Sequence, residues 1–475
     1  METPLLRAVG VAVVLTAAAA CHRGPQIDNS QHAPAIQRIT STPTPAWVGR
    51  DKLGATLWKV ERQFYESRDN LPAWIDGDKA SARVGALVDA LNHSEEHGLD
   101  PARYGVDHFR QIVAQADANT HRFETERVPE FDTRLTYAYL QYAADLLGWS
   151  GNPKAIDTNW IPANNKADLA GQLAKAVSSN QIRETLEELA PTHPQYKGLQ
   201  TALARERQNP TGHLDRIRMN LARWRWMPRE LGERYVFVNV PAYQMQVIEG
   251  EKPVLAMRVI VGDPTHQTPL FNDEMTTIVF SPNWNVPESI IRNEMLPKLV
   301  SDPGYLQRQN IQVVGTSGQV IDEDAVDWYD ESALARLHFR QEPGPTNALG
   351  LVKFQFPNPF DVYMHDTPQD ALFNKERRAL SHGCIRLENP VALAQYVLRG
   401  KPEWTAEKIT AAMNAGQEHA VPLKEHLPVH IGYFTAWVNP DGSLTYTDDP
   451  YNLDESQSRT LSGRVSTREV RKSTL

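Results

Sequence analysis

Hydrophobic positions recur along this chain with two different periods, and the change from one to the other falls near residue 230. Val84, Leu87, Val88 and Leu91 are three and four residues apart, as are Leu135, Ala138, Tyr139 and Tyr142. That spacing lines one face of an amphipathic helix. Asp132 or Thr133 is a candidate cap for the second helix, and Asn152-Pro153 lies just beyond its end. Trp58, Trp74, Trp149 and Trp160 fall in the same stretch, where aromatics at helical spacing more often fill a core than form a ligand platform. Residues 47–207 therefore read as an all-helical scaffold domain. A bridging helix is predicted within 208–231, with Leu214, Ile217, Leu221 and Trp224 on one face and a stop at Trp226-Met227-Pro228.

Beyond it the period shortens to two. The runs Tyr235–Val240, Met245–Ile248, Ala256–Val261 and Thr277–Phe280 are short, β-branched and aromatic, separated by Pro241, Glu249-Gly250 and Gly262-Asp263-Pro264. Strands resume at Phe354–Phe356 and Val362–Met364. Several short strands at this spacing predict a sandwich or barrel, and the chain as a whole is an α+β multidomain protein. The β domain is assigned to 232–400. Within it, 296–345 is a mixed segment with Asp302-Pro303-Gly304 and a Leu334–Leu337 helix fragment, read as a capping insertion because long insertions often cover a site. Residues 401–475 add a helix, a hairpin around Asn439-Pro-Asp-Gly442, and a tail expected to fray from about Glu455.

Composition narrows the function. The 475 residues carry 49 Lys and Arg against 58 Asp and Glu, a net charge of −9. Such a balance argues against a nucleic-acid binder, since no positive excess is present to replace counterions. Two cysteines, Cys21 and Cys384, exclude a disulfide framework and a Cys-rich zinc module. Residues 1–20 place Arg7 ahead of an uncharged run, Ala8–Ala20, too short to span a bilayer but suited to a secretory signal. The run ends Ala18-Ala19-Ala20-Cys21, which resembles a bacterial lipobox. The expectation is export to the periplasm or envelope, with a lipid on Cys21 and a polar tether over 21–46. An ordinary cleaved signal with an incidental cysteine is the plainer alternative.

The candidate chemistry lies in Tyr363-Met-His365-Asp366 and Ser381-His382-Gly383-Cys384-Ile385-Arg386. A thiol is mostly protonated at neutral pH, so a nucleophilic cysteine needs a base or cation beside it. His382 shares the face of Cys384 if the segment is extended, and His365 faces it if the two strands are neighbours. Gly383 allows close backbone approach, and N–H groups around it are candidate oxyanion donors. Arg386 suits a thiolate or a substrate carboxylate. Against this, a lone cysteine is usually a buried small hydrophobe. As a metal site, His365, His382 and Cys384 form only a three-ligand guess without fixed spacing.

His365, fifteen intervening residues and then Ser-His-Gly-Cys-Ile-Arg resemble the active-site motif of the L,D-transpeptidases, whose catalytic domain is of the YkuD type. Tyr235–Tyr243, Val261-Gly262, Thr268–Phe271, Ser281–Pro287 and Pro343–Gly350 resemble its large subfamily with a helical scaffold and capping loop. The usual peptidoglycan-binding module has no room between Leu203 and His213. The resemblance implies Cys384 as nucleophile and His365 as general acid/base, with His382 a minor alternative base. Ser381, His382, Gly383 and Arg386 would be supporting groups. Tyr363 and Trp284 are weaker candidates for the substrate groove, since each serves equally well in a core.

The implied reaction forms 3→3 cross-links between peptidoglycan stem peptides through a Cys384 thioester, releasing D-Ala, with no metal or organic cofactor and with carbapenems as covalent inhibitors. A hydrolase at the same site, trimming stems or cutting cross-links, stays open. So do transfer to an outer-membrane protein and a non-catalytic, lipid-anchored scaffold role.

Overall fold

The computed structural model describes residues 28–41, 44–119, 122–299, 301–302, 304–330, 334 and 336–459. The export run and Cys21 lie outside the described residues. Among the described residues no helix is long and apolar enough to cross a membrane.

The scaffold is built from helices Lys52–Glu66, Ala82–His93, Val106–Asn119, Val128–Leu146, Leu169–Ser179, Ile182–Glu187 and Pro194–Gln208. Helix Val128–Leu146 is buried on nearly every side, the behaviour of a helix surrounded by others. Asp132 and Thr133 lie one turn inside it, because the helix starts earlier than the pattern suggested, on the Val128-Pro129 step. Neither residue is a cap. The polar tether is also corrected, since Ala33–Ser41 forms a helix that drops Ile36 into the scaffold core. Its four apolar positions, Ala33, Ala35, Ile36 and Ile39, were too few to stand out against polar neighbours.

Nine strands form the catalytic sheet: β1 Arg234–Asn239, β2 Gln244–Glu249, β3 Lys252–Gly262, β4 Asn272–Phe280, β5 Val352–Gln355, β6 Met364–His365, β7 Ala379–Ser381, β8 Ile385–Leu387 and β9 His419–Gly432. Their spatial order is β7-β3-β8-β6-β5-β4-β9-β1-β2, and β2 also pairs with β3. That last pairing closes eight strands into a barrel, with β7 attached outside the ring. Barrel closure removes exposed edges, and the interior is packed with Val236, Val259, Ile278, Phe354, Met364 and Ile385.

Strand β9 lies past residue 400 yet pairs with β4 on one side and β1 on the other. The β domain therefore runs to Gly432. Pro422 and the charged Lys424-Glu425-His426 hid it, and the ladder shifts register between Pro422 and Leu427, the bulge at which a sheet tolerates such residues. The tail is ordered further than expected too. Residues 453–459 are helical, and buried Gln457 accepts a hydrogen bond from Arg223 Nε at 2.9 Å.

The cap begins at Trp284 rather than 296. Strands Trp284–Asn285, Leu337–Gln341, Ile311–Gly315 and Val320–Ile321 make a separate antiparallel sheet in that order, over a small core of its own that includes Met295, Leu306 and Phe339. Leu337 thus opens a strand and does not close a helix; residues 331–333 and 335 lie outside the described residues.

The two large domains exchange pieces. Trp160, from the scaffold side in sequence, packs edge-on to Trp226 at 5.1 Å in the barrel core. Conversely, the hairpin Ala436–Val438 and Leu444–Tyr446 packs against the scaffold core, where Gln195 both donates to and accepts from the Val438 main chain at 2.7 and 2.8 Å.

Candidate active site

The register of two short strands assembles the site. β6 and β8 are parallel neighbours, with Met364 opposite Ile385 and His365 opposite Arg386. Side chains alternate along a strand, so apolar Met364 and Ile385 point to the barrel core while Tyr363, His365, Cys384 and Arg386 share the other face. Strand β5 sets Lys353 opposite His365, and its ammonium lies 5.4 Å from the Tyr363 ring centre. One face thus gathers a thiol, an imidazole, a phenol and two cations.

The turn that presents Cys384 is held by three hydrogen bonds from two side chains. Ser381 Oγ donates to the Cys384 carbonyl at 2.6 Å and accepts from the Gly383 N–H at 3.2 Å. Thr268 Oγ1 donates to the Gly383 carbonyl at 2.8 Å. Gly383 has φ +109°, in the region where a Cβ is disfavoured. Gly262, at the end of β3, has no room for a Cβ, which would stand 2.0 Å from the His266 carbonyl oxygen.

These contacts correct two expectations. The kink at Gly383 breaks the extended run, so His382 does not share the face of Cys384. Its Nε2 lies 2.5 Å from Glu294 Oε1 of the cap, and its ring is 4.6 Å from that of His266. Nor is the Gly383 N–H a free oxyanion donor, because Ser381 Oγ engages it. The Cys384 N–H has no hydrogen-bond partner among the described residues and remains available.

His365 is buried, and its Nδ1 lies 2.5 Å from the Asp366 carbonyl oxygen. An Nδ1–H donated there would leave Nε2 as the basic nitrogen. The Asp366 carboxylate points elsewhere, accepting from the Leu351 N–H at 2.8 Å. Burial, then the nearby Arg386 charge, pushes the imidazole down to about 3, against hydrogen bonds to the Asp366 and Leu349 carbonyls. Burial pushes the Cys384 thiol up, opposed by the Tyr363 main chain, Arg386, the Tyr363 hydroxyl and Lys353. Low-dielectric surroundings disfavour both charged forms, so the resting pair is a neutral thiol and a neutral imidazole. No hydrogen bond joins His365 to Cys384 in this state. They sit diagonally across the parallel β6–β8 pair, on one face of the sheet.

Tyr363 is the aromatic neighbour of the thiol on this face, and burial followed by the Cys384 charge pushes its phenol well up. Arg386 Nη1 donates to Gln369 Oε1 at 2.8 Å, while its Nε is buried with no partner among the described residues. Trp284 lies on the first cap strand and lines a cavity of about 200 Å³ shared with Arg386. Lys353, Gln369 and Glu294 were missed in the sequence. They come from a β strand, a loop and the cap, and no local spacing connects them to Cys384. Among the described residues no group of three or more His, Cys, Asp or Glu is placed to hold a metal.

Comparison with known proteins agrees with this architecture. Residues 233–405 match the model of the L,D-transpeptidase catalytic domain, and residues 60–203 match that of a Scaffold domain. The chain therefore joins a region that matches a Scaffold domain to one that matches the L,D-transpeptidase catalytic domain. A relative from Haemophilus influenzae, named "Putative L,D-transpeptidase", is 30% identical over 321 residues, covering 65% of this chain and 64% of its own. This chain thus spans just under two thirds of that relative's length. Solved structures with partial overlap include an L,D-transpeptidase from Mycobacterium smegmatis, 14% identical, covering 42% of this chain and 58% of its own, at a TM-score of 0.22. Another is Mycobacterium tuberculosis L,D-transpeptidase 1, 10% identical, covering 42% and 60%, at 0.16.

Proposed function

We propose that this protein is a peptidoglycan L,D-transpeptidase that forms 3→3 cross-links through a thioester on Cys384. The observation that carries the reading is the shared face of Tyr363, His365, Cys384 and Arg386 on the β6–β8 pair, beside a cap with its own core.

Cys384 Sγ attacks the carbonyl between the diamino acid and the terminal D-Ala of a donor stem. Its proton passes to His365, which is neutral at physiological pH and able to receive it. The C–S bond forms, the C–N bond breaks, and His365 hands the proton to the departing D-Ala amine. Oxyanion charge falls to the free Cys384 N–H and the Tyr363 hydroxyl; one such donor contributes roughly 3 kcal/mol in comparable sites. The side-chain amine of a second stem then attacks the thioester. His365 takes its proton and returns it to sulfur as the C–S bond breaks. A cap that excludes water favours amine over hydrolysis. Export and lipidation at Cys21 belong to the same proposal and rest on the Ala8–Cys21 run.

The test is intact-mass spectrometry of residues 22–475 with a carbapenem and, separately, with tetrapeptide stems, beside Cys384→Ala. A drug adduct on the wild type alone, with stem dimers among the products, is the expected result. Free tripeptide without dimers would make the protein a hydrolase. No adduct on folded protein would overturn the activated thiol and return weight to a scaffold role.

A further inference from the structure

The cavity beneath the cap holds about 200 Å³, the share of six or seven waters at ~30 Å³ each. Its walls come from the cap on one side and from Thr367–Gln369 with Arg386 on the other. Only two of its lining residues are charged, Glu294 and Arg386, and they do not neutralise each other. Glu294 Oε1 faces His382, and Glu294 has no other partner among the described residues. Arg386 makes no ion pair among the described residues, gives only Nη1 to Gln369, and keeps a buried Nε without an acceptor.

A half-buried guanidinium whose enclosed Nε has no acceptor costs free energy unless an anion completes it. Its planar fork matches a carboxylate, which accepts two parallel N–H bonds. A carboxylate oxygen across a small cavity is in turn the natural acceptor for an ammonium. Glu294 is carried by the π-helical turn Ile291–Met295, an irregularity frequent at functional sites. One cation and one anion in one small cavity define a zwitterion as the complementary ligand.

We infer that this cavity is a subsite for an α-amino-carboxylate group, with the carboxylate on Arg386 and the ammonium on Glu294. The inference rests on the transpeptidase reading to supply the ligand, since the stem's diamino acid can end in such a group or in a plain amine. The subsite selects the amino-carboxylate end. The same chemistry is present on the donor stem and on the acceptor stem.

Binding is measured by calorimetry on Cys384→Ala with three probes: norleucine, pentylamine and hexanoate. Norleucine is expected to bind at least tenfold more tightly than either half-ligand. Glu294→Gln should reduce norleucine to the level of hexanoate, and Arg386→Gln should reduce it to that of pentylamine. Equal binding of all three, or unchanged norleucine affinity in both variants, overturns the subsite. Kinetic arms locate the source. Stems with diaminopimelate or lysine at the third position are compared first as donors in acylation, then as acceptors against a preformed thioester. A tenfold preference for diaminopimelate in one arm assigns the cavity to that partner, and none in either overturns the inference. Carbapenem acylation of the wild type is the independent control. Acylation with no norleucine selectivity removes the subsite alone, whereas selectivity without acylation removes the enzyme reading alone.

Discussion

Asp132 in the scaffold and His365 in the barrel are both buried polar side chains, and they differ in how their bonding capacity is used. The Asp132 carboxylate accepts from the Tyr65 hydroxyl at 2.7 Å and from the Ala73, Trp74 and Ile75 N–H groups at 2.8, 2.8 and 3.1 Å. Every acceptor site is occupied, so the group ties a loop to a helix and has nothing left for a ligand. Around His365 the reverse holds. Arg386 Nε and the Cys384 N–H lack partners, and Lys353 makes no ion pair among the described residues. Saturation marks a structural role, and unspent capacity marks a place where a substrate completes the bonding. Glu61 tests that rule from inside the scaffold. It is fully buried, both carboxylate oxygens lack partners, and burial followed by repulsion from Asp132 pushes its acid well up.

The sharpest way to break the comparison is to remove the proton carrier. His365→Gln should cut the acylation rate of Cys384 by about 10²–10⁴-fold with little change in thermal midpoint, measured by adduct formation against time. A loss of stability equal to that of a core residue would make His365 structural. Next in size is Asp132→Asn, whose amide nitrogen would face a backbone N–H. It should cost roughly 3 kcal/mol of scaffold stability by denaturant titration, while surviving folded protein acylates at the wild-type rate.

Acid should act on the interface between the domains. His193 and His430 are both pushed down to about 4, chiefly by burial. His193 stacks on Trp224 at 4.2 Å and bonds Tyr235, and His430 bonds Asn272 and Leu231. Their folded pKa lies below the unfolded value near 6.5, so the unfolded chain binds more protons between those limits. Their contribution is complete above pH 6.5 and is lost as pH falls toward 4, on the order of 3 kcal/mol for each. Denaturation curves at pH 7, 5.5 and 4.5 would show the decline. His430→Asn should flatten it, and an unchanged slope would remove His430 as its source.

The smallest effect is expected at Glu61. A raised acid pKa has the opposite sign: the folded form stays protonated while the unfolded chain ionises above about 4.5, so stability falls as pH rises. Glu61→Met should therefore stabilise the scaffold at pH 7 by about 1–2 kcal/mol. Destabilisation of that size would show that the carboxyl has a buried partner, such as an ordered water, and would bring it under the same rule as Asp132.

Much of this protein was legible from spacing alone. Val84–Leu91 and Leu135–Tyr142 announced their helices because the 3.6-residue period is local, and the strands from Tyr235 to Phe280 announced themselves by a period of two. The motif from His365 to Arg386 named the candidate reactive groups because it is contiguous. Asp132 was misplaced as a cap, since its helix begins at Val128 and caps are judged from neighbours only. Strand β9 was hidden behind its proline and charged residues, which a bulge in the ladder accommodates.

The sequence by itself determined the two classes of domain and pointed to His365 and Cys384 as candidate reactive groups, all written in short stretches whose chemistry depends on adjacent residues. Only the tertiary structure decided that His382 turns to the cap, that Ser381 takes the Gly383 N–H, that Tyr363 stands on the face of Cys384, and that Glu294 joins Arg386 around one cavity. Those relations depend on strand register and on contacts between segments as far apart as Glu294 and Arg386. Closing such a loop costs only slowly growing entropy with length, so the chain between the partners constrains them weakly and the pairing is fixed by packing.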